Sequence, residues 1–267
     1  MFLIRFSRRV IDFCLTMGLW AYFLFGYLLL MFVLFIPFHL RLNTGDAVLQ
    51  KLFHVHLRFF FVLVGLVSPG VRFDISEDVR RLRSSIIVCN HLSYLDPILL
   101  VSLFPRQTTI VKNTFFSVPI FGWFLRKAGY VPSSPTEMYG PAMINHLENI
   151  KRHLAAGGNL FVFPEGTRSR NGRLAPFNKG VFSIARYCNT GLKLVFIRNT
   201  DRLFRPGAFS FETRGKFTIS MELIGSLTAD DLKNSSIGAS AAQARERFER
   251  IISGTKTGGD EDVDSIF

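Results

Sequence analysis

A histidine and an aspartate five residues apart are the first groups in this 267-residue chain whose types and spacing could do chemistry. They lie in Ile86-Ile87-Val88-Cys89-Asn90-His91-Leu92-Ser93-Tyr94-Leu95-Asp96-Pro97. On a continuous helix, positions five apart point well away from each other, so the pair cannot meet there. The apolar run before it reads as a buried strand. Asp96 followed by Pro97 reads as a helix N-cap and a first helical residue. His91 then falls in the loop just past a strand end, where open α/β sheets place their sites. With that loop folded back, Asp96 accepts a hydrogen bond from one ring nitrogen and leaves the other as a general base, the base-and-orienter half of a triad. No serine or cysteine nucleophile stands beside the pair, and no G-x-S-x-G elbow occurs in the chain. The nucleophile would then be the substrate's own hydroxyl. On the pair alone, a plain helix cap and an ordinary loop histidine fit equally well.

A second stretch, Phe161-Val162-Phe163-Pro164-Glu165-Gly166-Thr167-Arg168-Ser169, also leaves an apolar run. Glycine lets backbone N–H groups approach an anion, Thr167 adds a hydroxyl, and Arg168 can grip phosphate with two parallel hydrogen bonds. A turn carrying a surface arginine would explain this stretch by itself.

The elements that must position both stretches follow from the pattern beyond Ser84. Strands are expected at Ser85–Cys89, Thr108–Val111, Asn159–Phe163 and Leu192–Ile197. Helices are expected at Pro97–Phe104, Val118–Ala128, Glu137–Ala156 and Lys179–Cys188. This alternation argues for an α/β fold with a mostly parallel sheet flanked by helices, and with both stretches opening at one sheet edge. Phe209–Thr213 and Lys216–Ile224 read as a hairpin around Arg214-Gly215, followed by a helix near Ala241–Ile252. The acidic residues 254–267 read as a disordered tail.

Apolar content is concentrated at the start. Phe13–Ile36 is 24 residues without a charge, enough to cross a bilayer core as a helix, and too long for the apolar heart of a cleaved signal. A second apolar run, Phe59–Val67, is only nine residues long and reads with Leu52, Val55 and Leu57 as an interfacial or re-entrant helix. Arginine and lysine flank both sides of the first run, so charge does not choose an orientation. A membrane-anchoring hairpin over residues 1–67 keeps the domain expected over 68–253 on the cytoplasmic face. The net charge is +12, and the tail holds −3 of it, leaving +15 on residues 1–253. Beside a membrane segment this reads as attraction to anionic lipid and phosphate-bearing substrates rather than to nucleic acid, for which no zinc-finger or RNA-binding signature is present. Cys14, Cys89 and Cys188 form neither a disulfide framework nor a metal motif. His54 and His56 read as packing or interfacial residues.

Asn90-His91-x4-Asp96 and Phe163-Pro164-Glu165-Gly166-Thr167-Arg168 resemble the first and third blocks of the glycerolipid acyltransferase family, which contains 1-acyl-glycerol-3-phosphate acyltransferases. Lys112–Gly129, with Pro119, Gly122 and Trp123, is similar to its second block. Phe177-Asn178-Lys179-Gly180 followed by Leu194–Ile197 is similar to its fourth. The similarity covers about residues 80–200. It implies an acyl-CoA or acyl-carrier-protein donor, a lysophospholipid acceptor and no metal or organic cofactor. His91 and Asp96 would be catalytic, and Asn90, Lys112, Glu165, Gly166, Thr167 and Arg168 would bind substrate, with Glu165 organising the loop or a hydroxyl rather than touching phosphate. Two departures stand out. The family's second block ends in an acidic residue and an arginine, where this chain runs Val131-Pro132-Ser133-Ser134-Pro135. Its fourth block holds a proline where this chain has Phe196. The expected product is phosphatidic acid from lysophosphatidic acid. Another lysolipid or glycerol 3-phosphate as acceptor, a hydrolase using water, and a non-catalytic lipid-binding protein stand as alternatives.

Overall fold

Seven strands form one sheet in the order β1-β7-β6-β2-β5-β3-β4. The computed structural model describes residues 2–29, 32, 46–133, 141–169 and 173–257. The strands are β1 (Val71–Ile75), β2 (Ile86–Cys89), β3 (Gln107–Lys112), β4 (Val131–Ser133), β5 (Asn159–Val162), β6 (Leu192–Arg198) and β7 (Phe217–Leu227). β6, β2, β5, β3 and β4 run parallel in that spatial order, so their carboxyl ends share one edge. Both motif stretches leave from that edge, as their spacing implies, because β2 and β5 are direct neighbours. Only β7 runs against β6, and β1 then pairs with β7 in parallel.

The expected hairpin at 209–224 is not formed. Residues 209–213 are not a strand, and β7 is an 11-residue strand whose antiparallel partner is β6. The alternation of Phe217, Ile219, Met221 and Leu223 marked β7 correctly, but a period of two says nothing about the partner.

Helices cover both faces. Alternate β2 residues point opposite ways: Ile87 and Cys89 join one apolar cluster, Ile86 and Val88 the other. The first cluster is closed by α1 (Phe2–Ala21), α2 (Asp46–Val67), α4 (Leu95–Leu103) and α5 (Phe121–Lys127), with α3 (Glu77–Arg80) bringing Val79. The second is closed by α6 (Pro141–Ala155), α7 (Gly180–Tyr187) and α10 (Ile237–Thr257), with Leu232 of α9 (Ala229–Asn234). Before β7 lies α8, a single turn at Thr200–Leu203. Gly122 opens α5 where any Cβ would meet Phe116 O at 2.0 Å, so only glycine lets this turn close onto the preceding segment.

α1 continues through a π-helical stretch, Tyr22–Gly26, and a further turn, Tyr27–Leu29; residues 33–36 of the expected first helix lie outside the described residues. The second apolar run is the end of the 22-residue helix α2. Both helices are long and apolar enough to cross a membrane. α2 also packs on the sheet domain: Gln50 Nε2 donates to Ala128 O at 2.7 Å, Gln50 Oε1 accepts from Gln107 N at 3.2 Å, and His54 Nδ1 meets Val101 O at 3.0 Å. Its opposite face leaves Val55, Phe59, Val62 and Leu66 exposed, and α1 and its continuation expose Phe13, Met17, Leu24, Phe25 and Leu29. The last helix runs through Thr257, into the start of the expected tail, whose residues 258–267 lie outside the described residues.

Candidate active site

The loop after β2 carries the pair. His91 Nδ1 lies 2.8 Å from Asp96 Oδ2. Set against a carboxylate oxygen, Nδ1 is the ring nitrogen placed to donate, and Nε2 is left for other partners. The imidazole is stacked on Phe163 with ring centroids 4.2 Å apart, and its side chain is 15% exposed. Asp96 is fully buried. Its Oδ2 also accepts from Leu92 N at 2.6 Å and Ser93 N at 2.8 Å, and its Oδ1 accepts from Thr200 Oγ1 at 2.5 Å. Asp96 is therefore not the helix cap that its proline neighbour implied. Tyr94 occupies the N-cap position of α4, and Asp96 sits in the first turn with its carboxylate folded back onto the loop. Two backbone N–H groups hold the five-residue spacing as a tight loop, which is how a histidine and an aspartate that cannot meet on a helix come together.

Asn90, expected to bind substrate, is buried with its side chain bonded to the backbone of β6. Its Nδ2 donates to Ile197 O at 2.9 Å and its Oδ1 accepts from Ile197 N at 2.7 Å, both buried. It thereby joins the ends of β2 and β6 beneath the loop. Glu165 is likewise turned inward. Oε1 accepts from His91 N at 2.9 Å and Oε2 from Ala175 N at 3.1 Å. Burial pushes its carboxyl above the ordinary range, against the two N–H groups that draw it down. Glu165 thus ties His91 to the segment at Ala175. Ser169 N donates to His91 O at 2.8 Å, a second tie between the two motif loops.

The rest of the second stretch faces out. Gly166 turns the chain at φ +66 with open space beside it, and Thr167 is exposed. Arg168 lies over Tyr94, its guanidinium carbon 3.5 Å from the ring centroid, and its Nη1 is buried without a hydrogen-bond partner. A cation held flat on an aromatic ring with an unspent donor is suited to take an anionic oxygen. Lys112 ends β3 at the same edge, exposed, directly opposite Ser133 in the β3–β4 register.

Neither Cys89 nor Ser93, the thiol and hydroxyl nearest His91 in the first motif stretch, is free to act as a nucleophile. Cys89 is fully buried, and desolvation followed by the Asp96 charge pushes its thiol well above the ordinary range. Ser93 is buried, and its hydroxyl donates to Phe204 O at 2.8 Å. Thr200, Tyr94 and Phe163 were not singled out from sequence. Phe163 and Tyr94 lie inside the motif stretches, but Thr200 carries no local signal. A cavity of about 550 Å³ between α1 and residues 203–212 is lined by Val10, Phe13, Arg205 and Phe211 among others, and by none of the groups above.

Residues 70–197 match the family model described as Acyltransferase. The chain is 29% identical over 242 residues to the chloroplastic 1-acyl-sn-glycerol-3-phosphate acyltransferase BAT2 of Brassica napus, covering 86% of this chain and 67% of that protein. It is 30% identical over 197 residues to the 1-acyl-sn-glycerol-3-phosphate acyltransferase of Saccharomyces cerevisiae, covering 71% of this chain and 62% of that one. The chain thus spans about two thirds of the length of these relatives. The crystal structure of the 1-acyl-sn-glycerophosphate acyltransferase PlsC from Thermotoga maritima superposes with a TM-score of 0.67 at 22% identity, over 93% of this chain and 98% of that one, a likeness of fold.

Proposed function

The chain belongs to the glycerolipid acyltransferase family, and from that premise we propose that it moves a fatty acyl group from a thioester to the free hydroxyl of 1-acyl-glycerol-3-phosphate, giving phosphatidic acid. The observation that carries this reading is the His91–Asp96 pair with Nε2 unspent and neither Cys89 nor Ser93 free to act as nucleophile. His91 Nε2 takes the proton of the acceptor hydroxyl as its oxygen attacks the thioester carbonyl. Asp96 holds the tautomer and stabilises the imidazolium that forms. The tetrahedral intermediate collapses with cleavage of the C–S bond, and the proton on His91 passes to the departing sulfur. Transfer is direct, with no acyl-enzyme.

Arg168, on its Tyr94 platform, and Lys112 hold the acceptor's phosphate, with Gly166 and Thr167 lining the approach. Lys112 stands opposite Ser133, the segment where the family's second block carries arginine, and so supplies a cation there. The donor is acyl-CoA or acyl-carrier protein. Residues 1–67 seat the protein on the bilayer through the exposed apolar faces of α1 and α2, and the sheet edge stays on the cytoplasmic side where the donor arrives.

The test uses the full chain in detergent with labelled acyl-CoA, acyl-carrier protein and a panel of lysophospholipids, beside His91→Ala. Transfer to lysophosphatidic acid that falls by about 10²–10⁴ in the variant supports the reading. Transfer only to another lysolipid or to glycerol 3-phosphate keeps the chemistry and moves the acceptor. A wild-type rate in His91→Ala removes the base assignment, and no transfer to any acceptor favours a lipid-binding protein.

A further inference from the structure

Asp96 has two oxygens in very different company. Oδ2 receives three N–H donors from its own loop, and Oδ1 receives one donor from far away in sequence, the hydroxyl of Thr200 at 2.5 Å. Thr200 is 1% exposed and opens the single turn α8. Its backbone is clamped on both sides. Asn199, before it, adopts the left-handed conformation at φ 63, and its side chain donates to Thr218 O at 2.7 Å on β7. Phe204, after it, is buried, packs on Trp20 of α1 with centroids 5.6 Å apart, and accepts the Ser93 hydroxyl through its carbonyl. The threonine hydroxyl is thus delivered to the orienting carboxylate by a segment fastened to the sheet, the first motif loop and the apolar helix α1.

We infer that Thr200 is a positioning residue for the acyl transfer: its hydroxyl fixes the rotation of the Asp96 carboxylate, and through it the direction of the His91 imidazole. The three donors on Oδ2 restrain rotation about the Cβ–Cγ bond through one oxygen only. The bond to Oδ1 restrains it through the other, so that turning the carboxylate breaks hydrogen bonds at both ends. Without the hydroxyl, Oδ1 is a buried acceptor with no donor among the described residues, and the carboxylate gains by turning to find one. That turn misdirects Nδ1–H and displaces Nε2, where misplacements on the order of 1 Å can cost about a hundredfold. Thr200 touches neither substrate nor the reacting atoms, and acts through Asp96 alone.

This inference rests on the reading of His91 as the base, and the experiment separates the two. Thr200→Val keeps the shape and removes the hydroxyl, whereas Thr200→Ser keeps the hydroxyl and removes the methyl. Both are made in the full chain, with His91→Ala, Asp96→Ala and the Asp96→Ala/Thr200→Val double variant, and each is assayed for kcat and both KM values in mixed micelles. Thr200→Val should lower kcat about tenfold to a hundredfold, in line with the loss of a charge-assisted hydrogen bond, with both KM values unchanged. Thr200→Ser should recover most of the rate, and Thr200→Val should cost less than about threefold on the Asp96→Ala background, because residues acting through one group are not additive. The inference is overturned if Thr200→Val turns over within about twofold of wild type, if serine fails to rescue, or if the two losses multiply, while His91→Ala is inactive. An active His91→Ala would remove the base assignment and this inference with it. Should Thr200→Val not fold, Thr200→Cys, of similar size and a weak donor, makes the same comparison.

Discussion

Replacing Asp96 by asparagine separates charge from geometry at this site. The crowded oxygen is Oδ2, which receives His91 Nδ1, Leu92 N and Ser93 N, whereas Oδ1 meets only the Thr200 hydroxyl, which can rotate to accept. The amide therefore has one favourable placement, with its carbonyl oxygen at the Oδ2 position and its NH2 toward Thr200. All four contacts persist, the imidazole keeps its proton on Nδ1, and only the negative charge is lost. A hydrogen bond to a charged group contributes about 1.5–3 kcal/mol against about 0.5–1.5 for a neutral one. Adding the lost stabilisation of the imidazolium, the expected deficit is about 1–3 kcal/mol, roughly 5- to 150-fold in kcat. Thermal stability should change little. Asp96→Ala, by contrast, strands four partners, two of them buried, and should cost about 3–5 kcal/mol of stability, a fall in Tm of about 6–20 °C. Steady-state transfer of labelled acyl groups to lysophosphatidic acid, paired with thermal unfolding, reads both quantities. A loss near 10⁴ in Asp96→Asn with unchanged Tm would mean the wrong tautomer had formed, refuting the claim that three donors dictate the amide's placement. A rate within twofold of wild type would remove the carboxylate charge from the mechanism.

Tyr94→Ala should raise the KM for a phosphate-bearing acceptor about 3- to 30-fold and leave kcat alone, since a desolvated cation–π contact contributes up to about 2 kcal/mol; equal loss with an uncharged acceptor would contradict the Arg168 assignment. Glu165→Gln can accept only one of the N–H groups of His91 and Ala175, and should lower stability by about 1–3 kcal/mol. Burial raises the folded-state pKa of Glu165, so its protonated form is the one folding favours, and that stabilisation is lost as pH rises through the raised value. The Tm gap between wild type and Glu165→Gln should therefore widen as pH falls from neutral toward the ordinary carboxylate range, and a gap that narrows would contradict the direction. Phe25→Ser and Phe59→Ser, at side chains 65% and 50% exposed, should release the protein from liposomes in flotation assays without lowering Tm. Each forfeits about 1.5–3 kcal/mol of apolar burial in the bilayer, and unchanged flotation of the double variant would count against this face as the membrane seat.

Much of this protein is written locally. The runs at Ile86–Cys89 and Asn159–Val162 have the composition and length of buried strands, and Pro97, Gly129 and Gly157-Gly158 punctuate the helices, so the alternation and the shared edge could be read without coordinates. The His91–Asp96 pair was legible for the same reason, being closed by N–H groups within the five-residue loop itself. The rest depended on partners distant in the chain. Strand alternation in β7 identified a strand but could not say that β6 and β1 would flank it, because pairing is decided by which edges remain once the parallel strands have stacked. Asn90 and Glu165 have the residue types of ligand contacts. They are turned inward in the fold because Ile197, 107 residues away, presents buried backbone groups to Asn90, and because His91 N and Ala175 N reach Glu165. Thr200 has no motif around it and acquires its role only because α8 is pinned over the first loop from both sides. Local sequence determines which groups are available and which turns they favour, whereas buried donors and acceptors are satisfied across the whole fold, and that decided which of those groups turn inward and which stay open at the sheet edge.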